Sequence, residues 1–288
     1  MLLRIKSKIR RHLNNKLVMH RPASYPFLSG DSYRSIANFV FDQFLDFNPT
    51  EVKRGDTVFV RNNLLEEYFL AVHPQITEPY VLISGNEDSS VSEKFMGCID
   101  GKILHWYAQN LNFVHPQTTL LPIGLQNFQT KYPDNFVQVF KLGRPTDFSL
   151  KKPRVMYGFS VDPHNPDRVN LHSMLPGVKV ADKVELSRLD YYESLTKYQY
   201  VIAPHGAGLD CHRNWESLYL RTIPIMRRDT FSLLFALSGF PVLIIDSWDD
   251  LLNLDEEGLD DYYQKNVGLF NNPKLLLPYW YDAFNNHK

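Results

Sequence analysis

Residues 200 to 213 read YVIAPHGAGLDCHR, an apolar run that stops at Ala203-Pro204 and is followed by His205, the turn Gly206-Ala207-Gly208, Leu209, Asp210 and Arg213. Such a turn lets backbone N–H groups approach an anion closely, and a helix starting just after it adds the positive end of its dipole. On a helix begun at Leu209, the 100° step puts Asp210, Arg213, Glu216 and Ser217 on one face and Cys211, Trp215, Leu218 and Tyr219 on the other. Arg213 then stands at phosphate distance from the turn. Glu216, one turn later, can accept hydrogen bonds from a ribose or sugar diol. The same residues also fit an ordinary strand-to-helix connection in which Arg213 and Glu216 are a solvated helix pair.

The elements that must position this turn are those of a parallel α/β protein. Apolar or β-branched runs bounded by turn residues occur at DTVFVRNN, PYVLISGNEDSS, KILHWYAQN and TTLLPIGL, with a helix-length pattern, LLEEYFLAV, between the first two. Ahead of them, Ile36, Phe39, Val40 and Phe44 recur at helical spacing, with Asp31 as N-cap and Pro49 as the stop. After a charged link near residue 150, the alternation resumes. A strand covers Arg154 to Tyr157; then come HSMLPGVKV, a helix over LSRLDYYESLTKY, the strand QYVIAP, a helix over DCHRNWESLYL, and IPIM and PVLIID. The chain is expected to fold as two domains, 1–150 and 151–288, each built on a parallel sheet.

Composition sets the class. With 288 residues and 44% hydrophobic content the chain can bury two modest cores, and a formal net charge of −1 argues against a general nucleic-acid binder. The charge is uneven: every formal charge before Asp31 is basic, whereas residues 246–261 hold eight acids. Residues 1–20 show Leu2, Ile5, Ile9, Leu13 and Leu17 at helical spacing among basic side chains. That helix can pack on the protein or, through residues 1–17, lie on an anionic membrane surface. Two cysteines, Cys98 and Cys211, make no disulfide framework, and no run reaches the roughly 20 apolar residues of a membrane span, so a soluble, cytoplasmic protein is expected.

Two phosphate-binding signatures fit poorly. G-x-G-x-x-G would need glycine or alanine where Cys211 stands, and G-x-x-x-x-G-K-[ST] is absent. The strand followed by P-H-G-A-G-L-D-C-H-R, then N-W-E-S-L-Y-L and T-I-P-I-M, with D-Y-Y-E-S-L-T-K-Y-Q-Y-V-I-A-P upstream, resembles the donor-site region of the exostosin-like glycosyltransferases of family 47 and their short bacterial and viral relatives. The blocks S-G-D-S-Y-R, I-S-G-N-E-D-S-S-V, W-Y-A-Q-N, H-P-Q and L-P-I-G-L extend the likeness over most of residues 24 to 245. One departure is Arg221, where relatives usually carry glycine before the T-I-P segment.

The resemblance implies a GT-B fold, two Rossmann-like domains with parallel sheets facing across a cleft. It further implies inverting transfer from a UDP-sugar to a hydroxyl of a glycan acceptor, xylose being the leading guess. The donor would sit on the C-terminal domain. Gly206 and Gly208 would approach the diphosphate, Arg213 would neutralise it, and Glu216 would bind hydroxyls. Ala207, Leu209 and Asp210 complete the turn. Tyr157, Phe159 and Ser160 follow a strand end, and Arg154, Arg227 and Arg228 are further cations. His205 either donates to a phosphate or caps the turn.

Sugar transfer must stabilise charge growing on the leaving phosphate, by a metal held on acids or by arginines and helix N-termini. No Asp-x-Asp occurs, so no metal cofactor is expected. Inversion needs a general base on the other domain, for which Asp88, then Glu87, then Asp31 are candidates; all three are also plain turn formers. Arg34, His105, Trp106, Tyr107 and Asn110 could line the acceptor side, although Trp106 and Tyr107 also suit a core. Another nucleotide-dependent α/β enzyme, and a non-catalytic sugar- or nucleotide-binding module of this fold, remain open alternatives.

Overall fold

The computed structural model describes residues 24–127, 150–184 and 188–287. The basic helix expected over 1–20, and its membrane contact through 1–17, lie outside them. The chain forms two compact units. The described part of the first comprises 24–127, 207–210 and 273–287, and that of the second 150–184, 188–206 and 211–272. Among the described residues no helix is long and apolar enough to cross a membrane.

In the first unit the strands β1 (Phe39–Phe41), β2 (Thr57–Arg61), β3 (Tyr80–Gly85), β4 (Ile103–Ala108) and β5 (Thr118–Leu120) pair in parallel and in chain order. The helix expected over 31–48 is two elements instead. Helix α1 (Gly30–Ile36) is capped by Ser29, whose side chain accepts the Ser32 N–H, so Asp31 lies inside the helix. It ends before Asn38, which exchanges 2.9 Å hydrogen bonds with Thr57 and fixes the register of β1 on β2. The helix expected over 64–72 is a mixed run, α over Leu65–Glu67 and π over Tyr68–Val72.

Strands in chain order need crossovers that all run over one face, because parallel crossovers are right-handed. Phe69, Phe95 and Phe113, one from each of the three connections after β2, all pack edge-on or tilted against Trp106 on that face. The other face then lacks a cover. It is supplied by Leu28 and Tyr33 around α1 and by Leu277, Trp280 and Phe284 of the C-terminal helix (Leu277–Asn285), which pack on Phe59, Val81, Ile83 and Tyr107. Residues 273–287 therefore belong with the first sheet, not with 151–288 as expected.

The second unit is also all parallel: β6 (Lys152–Tyr157), α2 (Pro166–Met174), β7 (Ala181–Lys183), α3 (Arg188–Leu195), β8 (Tyr198–Ile202), α4 (His212–Tyr219), β9 (Ile223–Arg227), α5 (Thr230–Leu237), β10 (Leu243–Ile245) and α6 (Glu256–Asn266). Its strand order is β10-β9-β8-β6-β7. The chain starts at β6, steps to β7, and then crosses back to build β8, β9 and β10 outward. Trp215 of α4 packs on Phe235 and Phe240 beside the sheet, and Tyr200 of β8 sends its hydroxyl to the Leu259 carbonyl of α6 at 2.6 Å.

Candidate functional site

At the carboxyl edge of the second sheet, the chain leaving β6 turns toward β7 while the chain leaving β8 turns toward β9. Such a switch point opens a crevice where ligands of open α/β sheets bind. A cavity of about 490 Å³ lies here, within the size range of small-molecule sites. Gly158 and Ser160 come from the exit of β6, Val184 from that of β7, Tyr191 and Tyr192 from α3, and Cys211, His212, Arg213 and Glu216 from the start of α4. Gly158 is required by close packing, since a Cβ there would stand 2.4 Å from the Val184 carbonyl oxygen.

Arg213 donates through Nη2 to the Gly158 carbonyl at 3.4 Å and lies 6.0 Å from the Phe159 ring centre. Its Nε is buried with no hydrogen-bond partner. Burial works against its charge, but Tyr191, Cys211 and Glu216 outweigh burial and hold Arg213 above the ordinary arginine value. Burial in turn pushes the Tyr191 phenol up, opposed by Arg213. Glu216 is buried and accepts the Tyr192 hydroxyl at 2.9 Å, which fixes its carboxylate at the cavity wall. The arrangement offers a cation for an anionic group and, one helical turn away, an acceptor for hydroxyls.

Sequence reasoning missed Arg168. It projects from α2, whose residues 166–171 the sequence reading assigns to no element, and it lines the same cavity. Nε donates to the His205 carbonyl at 2.7 Å and Nη1 to that of Ser160 at 3.1 Å. A better signal was Asn165-Pro166, an N-cap followed by proline at the first helical position.

Helix α4 begins at His212 with Cys211 as N-cap, so Asp210 precedes it and Cys211 lines the cavity rather than the packing face. Gly206, Ala207, Gly208 and Leu209 are not among the cavity residues. Ala207–Asp210 belong to the first unit. There the Asp210 N–H donates to Asn110 Oδ1 at 2.8 Å, and its buried carboxylate accepts the Ile123 N–H at 3.0 Å. A Cβ on Gly208 would stand 2.9 Å from Asn110 Oδ1, so this glycine serves close packing on Asn110.

The other expected donor residues divide. Phe159 lies under both arginines, and Ser160 lines the cavity. Tyr157 is buried, with its carbonyl taken by the Val184 N–H at 2.8 Å. His205 is held through Nε2 by Asp229, the N-cap of α5. Arg154 is spent on Asp182 at 2.6 Å and Glu256 at 2.7 Å, Arg227 on Asp167 at 2.8 Å, and Arg228 on Asp246. None of these last three lines the cavity.

In the first unit, the three acids gather near the carboxyl end of β3 in different states. Asp31 is buried in a closed ring: its N–H donates to Asn127 Oδ1, Asn127 Nδ2 to Asn86 Oδ1, and Asn86 Nδ2 to Asp31 Oδ1, at 2.8, 2.8 and 3.0 Å. Glu87 pairs with Arg61 at 2.6 Å. Asp88 is exposed, and no described side chain engages its carboxylate.

The expected acceptor residues are each engaged within the first unit. Arg34 is buried against Asp42 at 2.8 Å. Trp106 is fully buried, its indole donating to Ser84 Oγ at 2.9 Å, and Tyr107 is buried against Phe284 and Trp280, so neither ring face is open to a sugar. His105 stacks on His287 at 5.1 Å and bonds Thr119 at 2.8 Å. Asn110, buried at φ 55°, donates to the Glu87 carbonyl at 3.0 Å. Among the described residues no cluster of three or more His, Cys, Asp or Glu could hold a metal ion.

No family model and no curated protein matches this chain.

Proposed function

We propose that the chain is an inverting glycosyltransferase of the GT-B type, binding a UDP-sugar on the second unit and an acceptor hydroxyl on the first. The observation that carries this reading is one cavity at the β6–β8 switch point lined by both Arg213 and Glu216, the pair to which the resemblance over residues 200–225 assigns the diphosphate and the sugar hydroxyls. In the reaction the bond from the sugar's anomeric carbon to the diphosphate breaks, and the acceptor oxygen forms the new bond. Arg213 faces the charge that grows on the leaving phosphate. Asp88 takes the acceptor's proton, since Glu87 is held by Arg61 and Asp31 is enclosed by Asn86 and Asn127.

The test is a thermal-shift screen over nucleotide sugars, UDP-xylose first, followed by assay of donor consumption with and without sugar acceptors. A ligand at 100 times its Kd stabilises the fold by about 2.7 kcal/mol, so a binding donor raises Tm visibly. The expected result is a shift with UDP-sugars and turnover that survives EDTA. Binding without consumption would favour a sugar-binding module. No shift with any uridine nucleotide, and no consumption, would overturn the reading.

A further inference from the structure

Arg168 and Arg213 come from different helices, line the same cavity and each lie over the Phe159 ring, at 5.7 and 6.0 Å from its centre. Neither guanidinium makes an ion pair with a described residue: Arg168 donates to the carbonyls of His205, Ser160 and Pro204, and Arg213 to that of Gly158. Carbonyls orient a guanidinium without cancelling its charge. Among the described residues that line the cavity, the one carboxylate, Glu216, is bonded by Tyr192 and paired with neither arginine. Burial, and then the charge of Arg213, draw Arg168 below the ordinary arginine value, which is the direction expected of two cations sharing a pocket. The braces on Arg168 also tie the exits of β6 and β8 together, so its guanidinium is set in place before any ligand arrives.

We infer that Arg168 is the second jaw of a two-arginine clamp and sets the site's preference for two adjacent phosphates over one. Resting on the nucleotide reading of this cavity, it assigns Arg168 the selection of a diphosphate, with Arg213 able to hold a single phosphate alone. A planar guanidinium can present two parallel N–H groups to one phosphate, so two guanidiniums suit two phosphates.

The experiment is calorimetric titration of UDP, UMP, uridine, pyrophosphate and phosphate into wild type, Arg168→Gln and Arg168→Lys, each at low and moderate salt, with Tm recorded for every variant. Arg168→Gln is expected to weaken UDP and pyrophosphate about tenfold or more, the scale of a charge-assisted hydrogen bond. UMP and phosphate should change far less and uridine not at all, while the salt dependence of UDP binding becomes shallower. Arg168→Lys keeps the charge but loses the planar braces, and should keep more of the diphosphate preference than glutamine does. Equal losses for UDP, UMP and uridine in both variants would make Arg168 a brace only and overturn the clamp. So would unchanged UDP binding in Arg168→Gln. If wild type binds pyrophosphate in an Arg168-dependent way but no uridine nucleotide, the clamp stands and the UDP reading falls. If it binds neither pyrophosphate nor UDP, the clamp falls.

Discussion

In the first unit the strands stand side by side in the order in which the chain makes them, whereas in the second the chain starts at β6 and builds outward on both sides. Among the described residues each sheet has five parallel strands. The first order sends every crossover over one face, so the opposite face is closed by α1 and the C-terminal helix, and the polar groups at its carboxyl edge are bonded to one another, as in the ring of Asp31, Asn86 and Asn127. The second order makes two exits diverge, and the side chains there, Arg168, Arg213 and Glu216, line an open cavity. Asp88 apart, the first sheet therefore spends the polar side chains of its edge on itself, whereas the second presents Arg168, Arg213 and Glu216 to a cavity.

The most disruptive way to probe the first sheet is to remove its distant cover. Trp280→Ala takes a fully buried indole from between Tyr33 and Tyr107 and should cost about 3–5 kcal/mol of stability, the range for large aromatic truncations. Chemical denaturation followed by a probe in each unit checks it. An equal loss in both units would mean that the C-terminal helix supports more than the first sheet.

Next in size is the chemistry assigned to the first sheet's edge. Asp88→Asn should lower kcat by about two orders of magnitude, the usual worth of a general base, with UDP affinity unchanged. Glu87→Gln, which breaks only the Arg61 pair, should cost much less. The reverse ranking in steady-state kinetics would exchange the two roles.

The second sheet is probed by Arg213→Ala, expected to weaken UDP by roughly 1.5–3 kcal/mol in calorimetry. Affinity within about twofold of wild type would remove Arg213 from the site.

The smallest effect concerns pH and belongs to the first sheet again. Burial, with the neighbouring His287, holds His105 down at about 4. A histidine whose folded-state value lies below its unfolded one favours the native state above pH of about 6.5 and loses that contribution as pH falls toward 4. The Tm of wild type should therefore drop over this window, and less so in His105→Gln. Identical pH profiles would show that other groups govern acid stability.

What the sequence revealed follows the range of the interactions involved. Strands β2, β3, β4, β6 and β8 are short β-branched or aromatic runs bounded by turn residues and are legible locally. Strand β1 is not, because Ile36, Phe39, Val40 and Phe44 satisfy helical spacing and only pairing with β2 decides for strand. Helix α2 buries little beyond Leu171, so it carries no strong apolar stripe, and Arg168 went unseen with it. Arg213 and Glu216 were legible because one helical turn relates them. Asp210 was not, since its partner is the Ile123 amide, 87 residues away. The place of the C-terminal helix depends on which sheet face lacks a cover, a property of strand order that no local pattern expresses.

The central claim, that nucleotide binding belongs to the sheet with the switch point, is tested most directly by hydrogen exchange with and without saturating UDP. Slowed exchange is predicted at the amides of residues 158–160 and 211–216, with residues 84–88 and 108–110 unchanged. Protection confined to residues 84–88 and 108–110, with the exit of β6 and the start of α4 unaffected, would contradict it.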